Sequence, residues 1–403
     1  MPRPNLLILC DYFIPGFKAG GPTRSIVNLV RLLEKHADIH VITRDRDFGE
    51  SRGYSDIQVG SWQSAVGAKV RYLTPDELRG GELRKLLRET AWDTLYINSI
   101  CSLQFSIRPL YWRWMNEIPA RRLVLAPHGE TSAEALRIKA FRKRTFLNVA
   151  KFTQLYRYCH WHATSPHEAT DIENLSKFLG GKNEISLVRP GCGREPLLDL
   201  ESTWKVKKPG TLSIAFLSRI CRIKNLPFAI DLISTLPGEV QFDIFGPIEE
   251  QDVWAECEAK IKKLPPNIQV RYGGSVPNSN VPSIFAEHDL LLLPTKSENY
   301  GHVIRESLRA GCPVLISDQT PWRNLKSAGV GWDLPLERPD LFRNALQEVL
   351  AFDDNKLRPM RRKTQAWVEQ QRDDDEAVRE HLAMFFPNVA EFETGAISVQ
   401  RAA

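Results

Sequence analysis

Glu298 and Glu306 stand on either side of Asn-Tyr-Gly-His-Val-Ile-Arg, and a helix starting near Gly301 turns both carboxylates toward the same cleft. The helix N-terminus between them can hold a phosphate through its backbone N–H groups. A carboxylate beside a bound sugar accepts hydrogen bonds from its hydroxyls. Two glutamates on one helical region are ordinarily solvated, so the approach through Pro294-Thr-Lys-Ser297 and the exit through Gly311-Cys-Pro-Val314 give the segment its specificity. A second candidate is Ser218-Arg-Ile-Cys-Arg-Ile-Lys-Asn225, which follows a strand and sets Arg219 and Lys224 at its carboxyl edge, where a diphosphate would lie. Arginine offers phosphate oxygens a planar fork and lysine a point charge. A solvated basic turn is the bland reading of the same residues. The third is Gly20-Gly-Pro-Thr-Arg24, a turn whose glycines let backbone approach a ligand and whose Pro22 suits a first helical turn. It lacks the G-x-G-x-x-G spacing and gives no reason to infer a nicotinamide cofactor. The fourth is Ala126-Pro-His-Gly-Glu130, where His128 at a strand end can reach a ligand, although a lone histidine is more often structural.

The elements that carry these residues alternate. Strand-like apolar runs occur at 6–10, 39–43, 69–73, 94–98, 123–126, 162–165 and 185–188, then at 212–218, 240–245, 268–272, 290–293 and 313–317. Helical periodicity lies between them, as at 25–33, 227–236, 253–264 and 303–310, and 341–386 reads as helices alone. Continuous apolar strands alternating with helices predict parallel sheets covered on both faces. The expected fold class is therefore α/β, with two doubly wound Rossmann-like domains whose strand ends face a central cleft. Residues 1–195 form the first domain, 196–210 a polar linker, 211–365 the second domain, and 366–403 a helical segment packing back on the first. Charge divides the same way: residues 1–200 carry 29 Lys and Arg against 21 Asp and Glu, and the remainder 25 against 28. Hydrophobic residues make up 42% and charged residues 26%, which excludes a disordered or fibrous chain. The net charge of +5 is too small to argue for nucleic acid.

Taken in order, these motifs resemble the retaining, metal-independent glycosyltransferases of the GT-B fold, specifically glycosyltransferase family four of the bacterial surface-polysaccharide type. The resemblance runs through the Gly-Gly loop, the His-Gly strand end, the Arg-x-x-x-x-Lys turn, and the two glutamates followed by Ala-Gly-x-Pro-Val. It implies that Glu298 contacts the donor sugar and Glu306 the nucleotide ribose. Arg219 and Lys224 would bind the diphosphate, beside Gly20, Gly21, Gly301 and the amides of His302 and Val303. His128 would touch the sugar near the reacting centre. Ser218 and Cys221-Arg222 depart from the usual Gly-Arg-Leu start, and Arg189-Pro-Gly-Cys-Gly193 from the usual Pro-Asn-Gly-Ile-Asp. The implied reaction moves a sugar from a nucleoside diphosphate sugar to an acceptor hydroxyl, on a lipid-linked or oligosaccharide acceptor. It needs no metal or other cofactor. A sugar-nucleotide epimerase of the same fold and a non-catalytic nucleotide-sugar-binding protein at the membrane are the alternatives.

Other features test poorer ideas. His160, His162 and His167 lack a fourth metal ligand. Tyr111-Trp-Arg-Trp114 reads as helix packing, and Asp45-Arg-Asp47 as a solvated loop away from the phosphate motifs. Seven cysteines form no C-x-x-C pair and read as reduced thiols, as in the cytoplasm. The stretch 136–151 holds Arg137, Lys139, Arg142, Lys143, Arg144 and Lys151 and no acid, with Ile138, Phe141, Thr145, Val149 and Phe152 on one helical face. It is either a domain helix with a solvated basic side or an interfacial helix on an anionic leaflet. No apolar run approaches the ~20 residues a membrane span needs, so any membrane contact is expected to be peripheral, on the inner face.

Overall fold

A computed structural model describes residues 3–132, 140–181, 184–191, 199–371 and 374–387. The chain divides into two compact units, Met1–Arg194 with Asp373–Ala403, and Glu195–Arg372.

The first unit is built on strands β1 (Asn5–Leu9), β2 (Asp38–Arg44), β3 (Trp62–Ala65), β4 (Ala68–Leu73), β5 (Thr94–Asn98), β6 (Arg122–Ala126), β7 (Cys159–Ala163) and β8 (Ile185–Leu187), in the spatial order β3-β4-β2-β1-β5-β6-β7-β8. All neighbours are parallel except β3 with β4. Alternation explains the two-sided core: Leu7 and Leu9 enter one apolar cluster with Leu95 and Ile97, while Leu6 and Ile8 enter another with Tyr96 and Val124. The second cluster also takes Val378, Met384 and Phe385 from the Asp374–Phe385 helix, so the chain end completes the first unit's core.

The second unit has six parallel strands, β9 (Thr211–Leu217), β10 (Glu239–Phe245), β11 (Ile268–Gly274), β12 (Leu290–Leu293), β13 (Val314–Ser317) and β14 (Gly331–Leu334), ordered β11-β10-β9-β12-β13-β14. The run Leu290–Leu293 is fully buried, as a central parallel strand between helices must be.

Four expectations need correction. The strand placed at 162–165 is Cys159–Ala163, because Glu168 takes the Thr164 N–H and Ser165 caps the Pro166–Leu179 helix. Edge strands β3 and β14 carry too few apolar residues to stand out in the sequence. Residues 199–210 of the expected linker are packed onto the second unit: Trp204 is buried and its indole donates to the Ala310 carbonyl at 3.1 Å, while Lys207 pairs with Asp289 at 3.2 Å. The expected boundary at 365 falls inside the Asp354–Gln370 helix, which continues because Trp367 and Val368 pack in the second unit's core.

Candidate active site

In the second unit, the carboxyl ends of β9, β10 and β12 bring the basic turn and the glutamate segment together. Arg219 follows β9. Here the chain runs so close to the end of β10 that a Cβ on Gly246 would meet the Ser218 carbonyl oxygen at 1.9 Å. The Ser218 N–H donates to Phe245 and the Ile220 N–H to Pro247, which fixes the start of the turn. Its end is stitched to the loop after β12: Asn225 Nδ2 donates to the Pro294 carbonyl at 3.1 Å, and the Lys296 N–H to the Ile223 carbonyl at 2.8 Å. That stitching sets Lys224 Nζ 2.5 Å from Glu298 Oε2, with the two side chains only 12% and 17% exposed. Arg219 Nη1 donates to Glu249 Oε2 at 2.7 Å, and Arg222 to Asp252 at 2.6 Å. Both cations expected at a diphosphate therefore face carboxylates here.

Gly301 begins the His302–Arg309 helix in the left-handed region, at φ 78°, and no side chain caps it. Glycine is the residue that takes this conformation without strain. A Cβ there would meet Ile304 at 2.8 Å and Glu298 at 3.2 Å, so it also keeps the approach to the carboxylate open. His302 and Val303 form the first turn, and Glu306, half-buried, lies one turn on. The Tyr300 ring packs 4.7 Å from that of His302, and Trp322 Nε1 donates to the Tyr300 carbonyl at 2.6 Å. Trp322 was not legible as part of this segment, since it lies in another loop.

In the first unit, Gly20 (φ 71°) precedes the Gly21–Leu33 helix, with Pro22 in its first turn. Asp47 holds the preceding loop by accepting from the Phe17 and Lys18 N–H groups at 2.8 and 3.1 Å. Asp45 and Asp47 are therefore buried and structural, which corrects the solvated-loop reading. His128 follows β6 with φ 50° and then Gly129 with φ 85°. Three consecutive residues of this turn are pinned. His128 Nε2 lies 2.8 Å from Asn98 Oδ1. The Gly129 N–H donates to Glu168 Oε1 at 2.7 Å, and the Glu130 carboxylate accepts from Ser99 and from the Ile100 N–H at 2.7 Å. Burial lowers the His128 pKa, partly opposed by Glu168, so the imidazole is neutral. Asn98 and Glu168 escaped the sequence reading because they lie 30 and 39 residues from the side chain or backbone they hold, and Glu130, although inside the His-Gly motif, gave no sign there of its partners Ser99 and Ile100.

His160 and His162 are structural. His162 Nδ1 lies 2.8 Å from the Tyr96 hydroxyl and Nε2 2.9 Å from the Val188 carbonyl; His160 Nε2 meets Ser186 at 2.7 Å. Among the described residues no group of three His, Cys, Asp or Glu could hold a metal ion, and the six described cysteines are unpaired. The Ala140–Thr153 helix buries Leu147 and Ala150, whereas Val149 and Phe152 are exposed, Phe152 at 91%. Arg144 and Lys151 are exposed and Lys143 half-buried; the Arg142 side chain, Arg137, Lys139 and Ile138 lie outside the described residues. Tyr111 and Trp114 are exposed and stacked, centroids 6.1 Å apart, which corrects the helix-packing reading; only Trp112 of that cluster is buried. No helix among the described residues is long and apolar enough to cross a membrane.

The two doubly wound units define the fold class, and the comparisons agree with it. The chain is similar to HepE from Anabaena, solved with UDP and glucose (18% identity, TM-score 0.64, covering 98% of this chain and 100% of that one). It is similar to sucrose-phosphate synthase from Thermosynechococcus elongatus (15%, TM-score 0.69, 96% and 100%). A trehalose-6-phosphate synthase, studied for glycosyl transfer with retention, matches at 12% with TM-score 0.65 over 94% and 98%. At such identities the shared property is the GT-B fold. Residues 201–367 match the family described as Glycosyl transferases group 1, so the second unit carries a glycosyltransferase group 1 domain. No curated protein sequence matches the chain.

Proposed function

We propose that the chain transfers a sugar from a nucleoside diphosphate sugar to an acceptor hydroxyl, with retention at the anomeric carbon and without a metal. The observation that carries this reading is the Lys224–Glu298 pair beside the Gly301 helix start, inside the matched domain. A lysine and a carboxylate side by side can serve the two halves of such a donor: the cation its diphosphate, the carboxylate its sugar hydroxyls. Arg219 and the helix N-terminus add positive potential for the diphosphate. HepE holds UDP and glucose, which makes UDP-glucose the first donor to try.

In the proposed reaction the bond between the anomeric carbon and the diphosphate oxygen breaks, and the acceptor oxygen bonds the same face of that carbon. The acceptor proton passes to the departing diphosphate. Arg219 and Lys224 stabilise the charge that grows there. The second unit holds the donor; the first supplies His128 and Gly20–Gly21 and binds the acceptor. Incubating the protein with UDP-glucose and other nucleotide sugars, with and without acceptor, tests the reading. Acceptor-dependent release of nucleoside diphosphate supports it. A changed sugar nucleotide with no acceptor points to an epimerase, and binding without turnover to a non-catalytic role.

The proposed acceptor is a growing surface polysaccharide on a lipid carrier, met by the first unit at the inner membrane face. Support comes from the exposed aromatic residues Tyr111, Trp114, Phe152 and Tyr158 among basic ones. Arg113 and Arg157 each lie 4.4 Å from the Tyr158 ring, and Lys151 lies 4.8 Å from that of Phe178. Aromatic side chains at headgroup level with Lys and Arg beside them suit an anionic interface. Co-sedimentation with anionic vesicles at low salt tests this, and Phe152→Asp with Arg144→Glu should abolish it. A wild-type protein that stays in the supernatant overturns this part alone.

A further inference from the structure

We propose that Asn98 is a positioning residue that fixes His128 as its Nε2–H tautomer, leaving Nδ1 as a bare acceptor for a sugar hydroxyl. The second half rests on the reading of His128 as a sugar-contacting residue. Asn98 ends β5, buried, and its Nδ2 donates to the Leu9 carbonyl at 3.2 Å. That bond settles which way the amide faces, so the atom 2.8 Å from His128 Nε2 is Oδ1. An amide oxygen only accepts, so Nε2 carries the hydrogen. A neutral imidazole has one N–H, so Nδ1 is bare.

The surroundings keep the ring in this state. The backbone under it cannot relax, because Gly129 and Glu130 are tied to Glu168 and to the Ser99–Ile100 segment. The titratable groups around the ring are each engaged elsewhere. Glu168, on the Pro166–Leu179 helix, takes the Gly129 and Thr164 N–H groups and the Thr164 hydroxyl. Tyr96 on β5 and His162 on β7 bond each other. His381, on the C-terminal helix, bonds the Ala377 carbonyl at 2.7 Å. The cavity that Tyr96, Asn98, His162 and His381 line with His128 is about 10 Å³, room for one water and no ligand. Among the described residues Nδ1 meets no donor. A sugar hydroxyl that meets it must therefore donate.

The test uses the full chain labelled with 15N-histidine, His128 being assigned by the signals lost in His128→Ala. Nitrogen shifts distinguish a bare from a protonated ring nitrogen without any substrate. The expected wild-type spectrum shows Nε2 protonated and Nδ1 bare at neutral pH. Asn98→Asp sets a negative charge against Nε2–H and should raise the His128 titration by about 1–3 pH units. The acid limb of the kcat profile should move with it, while the donor KM stays put. Asn98→Leu removes the acceptor, should shift the hydrogen toward Nδ1, and should lower kcat by about a hundredfold. A wild-type Nδ1–H tautomer overturns the proposal, as does an unmoved titration in folded Asn98→Asp. If that variant fails to fold, an unchanged Nε2–H tautomer in Asn98→Leu overturns it instead. Should the tautomer shift as expected with kcat unaffected, the assignment of Asn98 stands and the catalytic reading of His128 falls.

Discussion

Replacing Glu298 with Gln separates the two halves of the donor. In the unliganded protein Lys224 is bonded to Glu298, so a diphosphate that recruits Lys224 must first compete with that carboxylate. Exposed pairs are worth ~0–1 kcal/mol and hydrogen bonds to charged groups about 1.5–3. With its side chains 12% and 17% exposed, this pair falls between them, at about 1–2 kcal/mol. Glu298→Gln should then tighten UDP binding by about five- to thirtyfold. The same change removes a carboxylate that accepts from sugar hydroxyls, at a cost of about 1.5–3 kcal/mol, so UDP-glucose should not share the gain. Titration calorimetry with UDP and UDP-glucose reads both. The ratio of the two affinities should move by about tenfold or more toward UDP. If UDP affinity is unchanged, Lys224 does not serve the diphosphate. If both ligands change alike, Glu298 does not serve the sugar.

Arg219→Ala and Lys224→Ala should each weaken nucleoside diphosphate binding by about 1.5–3 kcal/mol, and less than additively in combination, since both serve one ligand; wild-type affinity in either makes the turn a solvated loop. His128→Ala should leave donor binding within a few fold and lower kcat strongly, and an unchanged kcat removes it from the reaction. Burial depresses His162 to about 3 and His381 to about 4, below the ~6.5 of an unfolded chain, so the stability they protect is complete above pH 6.5 and lost as pH falls toward those values. At pH 5 each costs about 2 kcal/mol, and His381→Leu should therefore lose less Tm between pH 7.5 and 5 than the wild type, whereas an equal loss refutes the linkage. Chelator should leave transfer intact, and a loss restored by magnesium would overturn the metal-free proposal.

What was legible in the sequence is what local pattern controls. Twelve strands were legible from short runs rich in apolar and β-branched residues: central ones such as Leu6–Leu9 and Leu290–Leu293 are unbroken because both their faces are buried, whereas β4, β10 and β11 keep Lys, Arg, Gln or Asp between their apolar positions. The segments around Arg219 and Glu298 stood out because residue types suited to phosphate and sugar cluster there in the sequence, and the structure brings Lys224 of the one to Glu298 of the other. Three things were not. The polar stretch before residue 211 looked like a connector, yet the buried Trp204 and the Lys207–Asp289 pair anchor it, and neither one aromatic residue nor one lysine changes a composition. The Ala140–Thr153 helix was read for the face that collects apolar residues, but tertiary packing buried Leu147 and Ala150 and left Phe152 outside. Asn98 and Glu168 act on His128 and Gly129 across 30 and 39 residues, a distance only the sheet's strand order closes.

That strand order also ties the His128 turn to the exposed aromatic helix. β6 lies beside β5, so Ala126–Glu130 emerges next to Asn98–Ser102. The Glu130 carboxylate accepts from Ser99 Oγ and from the Ile100 and Cys101 N–H groups, and Ser102 then caps the helical segment that leads through Leu103 to Tyr111 and Trp114. The same Ser99 hydroxyl receives the Cys101 and Ser102 N–H groups. Glu130 is thus a joint between two proposals made on separate grounds, the sugar contact proposed for His128 and the interface contact proposed for Tyr111 and Trp114. Burial raises its pKa against the hydrogen bonds that lower it, so the carboxylate sits where losing a single donor is costly. A segment displaced at the aromatic helix would pull on Glu130, and through one peptide unit on Gly129 and His128. If both proposals hold, Glu130→Gln should lower kcat and vesicle co-sedimentation together, and a loss of one with the other unchanged refutes the joint.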